Sequence, residues 1–241
     1  MPELLQINNL SITNGDRIFV KNANLVLKQG DCTALTGPSG VGKSTLFKAV
    51  CHLLPCDFSV SGDIYFDSQN ISMLNLKQLR SYFGSGFTLI LQNPQENFDD
   101  RKNILSHFEE AMRATSKESK LKVKELAVNL LYKMQLAYPQ NLLKRRAFEL
   151  SQGMAQRVIL ALALLQQPKL ILADEFTCSL DVITRIQILQ LIKNLQREMG
   201  FSLFFITHNE DEVKFLNAAC YHLENGTLIR KSINEANADV A

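Results

Sequence analysis

The sequence has little net charge, no cysteine pair at metal-ligand spacing and no long apolar run. Its 241 residues carry 26 Lys+Arg against 24 Asp+Glu, a formal charge of +2. A chain so balanced makes no electrostatic case for nucleic-acid binding. Its most basic run, Lys144-Arg145-Arg146, reads as a solvated patch. The five cysteines, Cys32, Cys51, Cys56, Cys178 and Cys220, are odd in number and scattered, and no CxxC occurs. Neither a zinc site nor a disulfide framework is suggested; free thiols in a reducing compartment fit better. The longest apolar run, Val158 to Leu165, falls far short of the ~20 residues that span a bilayer. The opening MPELLQINNLS lacks the basic start and apolar stretch of a signal peptide. A soluble, cytoplasmic chain is expected, with any role at a membrane exercised through a partner.

What is present is an alternation of strands and helices. LLQINNLSI and FVKNANLVL read as strands, followed by the turn KQGD. CTALTG is a short buried strand, and Lys43 to Leu54 a helix. VSGDIYFD is a strand, Leu74 to Phe83 a helix, and FTLILQ a strand. From Asn103 to about Leu136 the pattern is helical and crowded with charge, without a sustained heptad. Helices are expected from Ser151, as N-cap, through LALALLQ and from Val182 to Met199, the latter ended by Gly200. KLILADE and SLFFITH are buried strands, NEDEVKFLN a short helix, and CYHLENGTLIRK a hairpin about Asn225-Gly226. The final INEANADVA reads as a frayed tail. The alternation argues for an α/β fold with a mostly parallel central sheet and a small antiparallel β layer. One domain over residues 1–241 is expected, its core at about 1–92 and 157–241 and a helical subdomain at about 93–156.

The chemistry starts at Gly37-Pro38-Ser39-Gly40-Val41-Gly42-Lys43-Ser44, followed by Thr45. This fits the P-loop pattern GxxxxGK[ST]. Its glycines let successive backbone N–H groups face one anion, Lys43 reaches the outer phosphates, and the Ser44 hydroxyl can hold Mg²⁺. The helix beginning there adds its N-terminal dipole. A Gly-rich turn with a chance lysine is the bland alternative; the strand before and the helix after weigh against it. LILADE ends a strand in two carboxylates: Asp174 suits a Mg²⁺ shell, and Glu175 suits a water-polarising base. A strand ending in Asp-Glu is by itself common surface chemistry. His208 ends the strand LFFIT, and Gln92 ends LILQ. A lone histidine is more often structural, yet strand C-termini of a parallel sheet converge on the ligand crevice. That expectation gathers Gly37, Gln92, Glu175 and His208 at one edge. In LSQGMAQ, Ser151 and Gly153 open a helix and so make a second anion-ready N-terminus with no lysine of its own. One chain needs one phosphate cradle, so the second suggests service to a neighbouring copy's nucleotide.

P-loop, Gln92, LSQGMAQ, LILADE, CSLD and His208, in this order and over nearly the whole chain, resemble the nucleotide-binding subunit of an ATP-binding cassette (ABC) transporter. The resemblance implies a P-loop NTPase fold and a head-to-tail dimer holding two ATPs with Mg²⁺. Lys43, Ser44 and Thr45 would bind phosphates and metal, with Asp174 in the metal shell. Gln92 would sense metal and water, Glu175 would be the base, and His208 would hold the γ-phosphate. Ser151 and Gly153 would contact the partner's γ-phosphate, and Asp181 would couple the two sites. The implied partners are a second such subunit, itself or a paralogue, transmembrane permease subunits, and any substrate-binding protein. No nucleic acid is implied. The implied location is the cytoplasmic face of the membrane, held peripherally, with the surface from Asn93 to Arg101 against the permease. A narrower likeness, carried by NPQENFDDRKNI and LADEFTCSLDVITRIQIL, is to the peptide and nickel importer branch.

Three positions depart from the family pattern. Gln152 replaces a glycine of the usual LSGG, Phe176 stands where proline usually follows the carboxylates, and Asn14 occupies the place of the adenine-stacking aromatic. Phe19 is the substitute expected to stack on the base. The rival class is a soluble ABC ATPase outside transport. DNA-repair members need coiled-coil arms longer than the segment from Asn93 to Leu150. Translation members usually carry two cassettes per chain. An ATPase of an assembly or remodelling complex stays open on sequence alone.

Overall fold

The computed structural model describes residues 2–93, 97–113 and 118–231. The expected tail and part of the expected permease surface, residues 94–96, lie outside the described residues. The chain forms two compact units, Met1–Arg80 with Gly200–Ala241, and Ser81–Met199. The first unit contains β1 (Glu3–Asn14), β2 (Arg17–Lys28), β3 (Cys32–Thr36), α1 (Lys43–Val50), β4 (Phe58–Phe66), β5 (Gln69–Asn70) and α2 (Leu76–Leu79). The second contains β6 (Phe87–Ile90), α3 (Ile104–Arg113), α4 (Lys120–Lys133), α5 (Pro139–Leu142), α6 (Gln152–Leu164), β7 (Leu170–Asp174) and α7 (Val182–Met199). The chain then returns to the first unit for β8 (Ser202–Ile206), α8 (Glu210–Phe215), β9 (Ala219–Glu224) and β10 (Thr227–Lys231).

In the first unit, β2, β1, β4 and β5 lie in that order as an antiparallel sheet. This is the antiparallel layer the alternating N-terminal strands imply. Along β2, Ala23, Leu25 and Leu27 are buried and alternate with exposed residues, the period of a half-buried strand; Asn22, at φ 48, offsets Val20 from that alternation. β3 pairs in parallel with both β8 and β9, and β10 closes antiparallel on β9. The turn between them holds Asn225 and Gly226 at φ 49 and 76, the two positive values a two-residue hairpin needs. β3 and β8 are buried nearly throughout, as unbroken apolar strands of a parallel sheet are. Phe47 of α1 meets Phe204 of β8 with ring centroids 4.6 Å apart, and both are fully buried.

Two helices are shorter than expected. α1 ends at Val50, not Leu54, because His52 turns into the left-handed region at φ 52 and Pro55 follows. Most of the stretch from Leu74 to Phe83 is not helical: only Leu76–Leu79 is. Beyond it the Tyr82 carbonyl accepts from the amides of both Gly86 and Phe87, at 3.0 and 2.8 Å, and these bonds fold the segment into a turn.

In the second unit β6 and β7 pair in parallel. The charge-rich stretch is helical as expected, as α3 and α4. Ile104, Phe108 and Met112 of α3 are buried four residues apart, an apolar stripe along one face of the helix. Ser119 caps α4 by accepting from the Lys122 amide at 3.2 Å. α7 buries Ile188, Leu189, Leu191, Ile192 and Leu195, and Gly200 follows it at φ 74. Among the described residues no helix is long and apolar enough to cross a membrane. None of the five thiols is in a disulfide, and burial pushes that of Cys51 up to about 12.

The Phe47–Phe204 pair sits where α1 meets its sheet, so it anchors the helix that carries the glycine loop. Phe204→Ala should cost about 3–5 kcal/mol of unfolding free energy, read from urea denaturation. A loss below about 1 kcal/mol would mean the surroundings close over the gap.

Candidate functional site

The glycine loop joins β3 to α1 within the first unit. Gly37 has φ 141, and a Cβ there would lie 2.2 Å from the Leu223 carbonyl oxygen of β9. Only a residue without a side chain lets the loop leave β3 against that neighbour. Lys43 opens α1 and is 5 % exposed. Its Nζ donates to the carbonyls of Gly37 at 2.8 Å and Pro38 at 2.9 Å. The ammonium is thus drawn into the loop's own curve. The amides of Ser44 and Thr45, in the first turn of α1, have no acceptor within the helix by its geometry. Pro38, Ser39 and Gly40 are exposed and Val41 is half-buried. The result is a rim of backbone donors around a buried cation, a shape that takes a phosphate.

His208 lies two residues beyond β8 and is exposed. With Thr36, Gly37 and Pro38 it lines a cavity of about 370 Å³. The far wall of that cavity carries Cys220 and His222 of β9. His222 is the register partner of Thr36, whose Oγ1 lies 3.0 Å from its Nδ1. Desolvation, then the charge of Lys231, holds the His222 imidazole below its usual pKa.

The opposite flank of the loop is built by β2. Phe19 is half-buried, beside Phe58 at 5.4 Å between centroids. The Arg17 guanidinium lies over the Phe19 ring, 4.4 Å from its centroid, and Arg17 Nη2 donates to the Gly40 carbonyl at 3.0 Å. Asn14, at the place of the missing aromatic, donates its amide to Asp57 at 2.7 Å.

The second unit gathers the carboxylates. Asp174 ends β7 and is 9 % exposed. Glu175 follows with φ 45, a left-handed conformation rare for a residue with a side chain. Its carbonyl accepts from the Cys178 amide at 3.1 Å, which closes the turn. Gln92 Nε2 donates to the Glu175 carboxylate at 2.9 Å and lies 3.8 Å from Cys178 Sγ. Two residues expected to act together, 83 apart in sequence, are in contact. Phe176, in the usual place of proline, is buried.

Ser151 caps α6, its Oγ accepting from the Met154 amide at 3.3 Å. Gln152 is exposed beside it. A Cβ on Gly153 would stand 2.9 Å from Thr184 Cγ2. Thr184 in turn donates its hydroxyl to Asp181 at 2.6 Å and its amide at 3.0 Å. These bonds, the hydroxyl's foremost, hold the Asp181 carboxyl below the usual carboxylate range. Gly153, Thr184 and Asp181 therefore form one packed chain from α6 to the start of α7.

Comparison with known proteins decides the family. The model of the ABC transporter family matches residues 20–178. The chain belongs to the ABC transporter family. It is 34 % identical over 236 residues to the nickel import system ATP-binding protein NikD of Staphylococcus aureus, covering 95 % of this chain and 87 % of that protein. It is 30 % identical over 235 residues to the metal-staphylopine import system ATP-binding protein CntD of the same organism, covering 97 % and 87 %. The ABC cassette MJ0796, solved as a dimer in a post-hydrolysis state with ADP and Pi, superposes with a TM-score of 0.81 at 26 % identity, covering 95 % of this chain and 99 % of that one. The expected fold class, a P-loop NTPase with mixed sheets and a helical part, is that of these ABC cassettes. This ABC chain binds and hydrolyses ATP as the nucleotide-binding subunit of a transporter.

Arg17 and Thr184 escaped motif reasoning. The signal for Arg17 was present, since residues two apart on a strand share a face and Arg17 precedes Phe19 by two. No local signal marks Thr184. Gly153→Ala should cost about 1 kcal/mol through overpacking against the Thr184 methyl. Thr184→Ser removes that methyl but keeps the hydroxyl, so the double variant should regain most of the loss in urea unfolding. Additive losses would show that Gly153 and Thr184 do not press on one another.

Proposed function

We propose that this ABC subunit works as one cassette, with a helical subdomain at about 93–156, and drives a small solute inward through separate membrane subunits. The observation that carries the reading is the ammonium of Lys43, buried inside a glycine loop at the mouth of α1. The solute class, a peptide or a nickel or metal chelate, is supported by the import systems named for its relatives. The subunit sits peripherally on the cytoplasmic face, against permease subunits and any substrate-binding protein they use.

In this reading the amides from Ser39 through Thr45 wrap the phosphates, and Lys43 sets its point charge against the outer two. Ser44, Asp174 and Gln92 would hold Mg²⁺. Their hydroxyl, carboxylate and amide oxygens are the hard donors this cation takes, and the Gln92 bond to Glu175 through Nε2 leaves Oε1 for the metal. A Mg²⁺ held by them would supply positive charge to offset that of the nucleotide's phosphates. Glu175 accepts a proton from the attacking water, and its bond from Gln92 orients the carboxylate. His208 donates to the γ-phosphate. Phe19 belongs to the adenine side of the site. Ser151 and Gly153 of a second subunit, a copy or a paralogue, close on the γ-phosphate with the amides that open α6. Asp181 passes the state of one site to the other.

Glu175→Gln should keep ATP binding and lose turnover by about 10²–10⁴-fold, the usual worth of a general base, with an ATP-bound dimer accumulating in gel filtration. Near-normal hydrolysis by this variant would remove Glu175 from the mechanism. Lys43→Ala and Ser151→Ala should each be inactive when pure. Mixed, they form some dimers with one intact site, and part of the ATPase activity should return if the chain pairs with itself. Turnover by a strict monomer, with Ser151→Ala harmless, would sink the shared-site arrangement.

A further inference from the structure

The geometry points to Arg17 as the residue on which the nucleotide base rests, with Phe19 as the plate beneath it. This inference depends on ATP binding at the glycine loop, as proposed above. Phe19 stands next to that loop: a Cβ on Gly42 would lie 3.0 Å from the Phe19 carbonyl oxygen and 3.3 Å from its Cβ. Its ring is therefore at the right place for a base, but the Arg17 guanidinium already lies over it at 4.4 Å. Phe58 packs beside the ring at 5.4 Å. Arg17 is exposed and Phe19 half-buried, so the flat group of this stack that meets solvent is the guanidinium.

Two contacts fix the guanidinium in its plane. The ring attracts it from below, and Nη2 donates to the Gly40 carbonyl at 3.0 Å. Gly40 belongs to the phosphate loop, so the same bond sets the height of the plate relative to the phosphates. A planar, delocalised cation stacks on a purine much as an aromatic ring does. A lysine in its place keeps the charge and can still reach a carbonyl, but has no plane.

The test is therefore Arg17→Lys, assayed by calorimetry with two probes, ATP and inorganic tripolyphosphate. Stacking of one base on one flat group is worth about 1–3 kcal/mol, which converts to about 5- to 150-fold in Kd. Arg17→Lys should weaken ATP by a factor in that range and leave tripolyphosphate, which has no base, unchanged. Phe19→Ala should weaken ATP similarly, and the double variant should be no worse than either alone, because ring and guanidinium act as one stack. Four results overturn the proposal. Unaltered or improved ATP affinity in Arg17→Lys would mean that the base lies on Phe19 itself. Equal losses for both probes would make Arg17 a brace of the loop. Additive losses in the double variant would separate the two groups. Wild-type protein that binds neither probe would overturn the nucleotide reading, and the plate with it.

Discussion

The contact between Gly37 and the Leu223 carbonyl is the constraint on which the first unit's chemistry depends. β3 and β9 run side by side, and the chain must leave the end of β3 without striking its neighbour's backbone. A φ of 141 at Gly37 does this, where a Cβ would stand 2.2 Å from an oxygen. From that bend follow the exposed rim from Pro38 to Gly40, the entry to α1, and the inward Lys43. Its ammonium needs acceptors once it is buried, and the loop supplies two of its own carbonyls. Loop and lysine thus define each other. The Phe47–Phe204 contact then fixes α1, and so Lys43, to β8.

In the second unit an uncommon backbone does comparable work. The left-handed Glu175 ends a fully buried strand and turns at once into the Cys178 amide bond. Such conformations persist where the surroundings impose them, and they cluster at functional sites. Asp174 remains with the buried strand, and Glu175 emerges to meet Gln92. Two adjacent carboxylates therefore acquire different surroundings from one backbone torsion. A strand that continued for one more residue would have given both the same exposure pattern as its neighbours two positions back.

Much of the fold was legible because its signals are local. Unbroken apolar runs marked β3, β7 and β8; Asn225-Gly226 marked the hairpin; Gly200 marked the end of α7. The ends of α1 and α2 were not legible, since His52 is no glycine and still adopts positive φ, and the Tyr82 carbonyl takes two amides from beyond the helix. At the site, the loop motif announced itself, because a phosphate cradle has a strict spacing. The pairing of Gln92 with Glu175 rested on the expected convergence of strand ends, and within the second unit the two do meet. The contact of Thr184 with Gly153 had no signal, since it depends on how α6 packs against α7. Arg17 over Phe19 sat between these cases: the spacing was local, but its meaning needed the position of Gly40.

The five thiols are unequally exposed. Cys32 and Cys51 are buried and Cys220 is half-buried, while Cys56 and Cys178 are exposed. Cys56 belongs to the first unit and Cys178 to the second. The native chain thus offers one accessible attachment point for a maleimide dye in each unit. A donor and an acceptor fluorophore placed there turn any movement of one unit against the other, during turnover, into a change of energy-transfer efficiency, with no cysteine introduced.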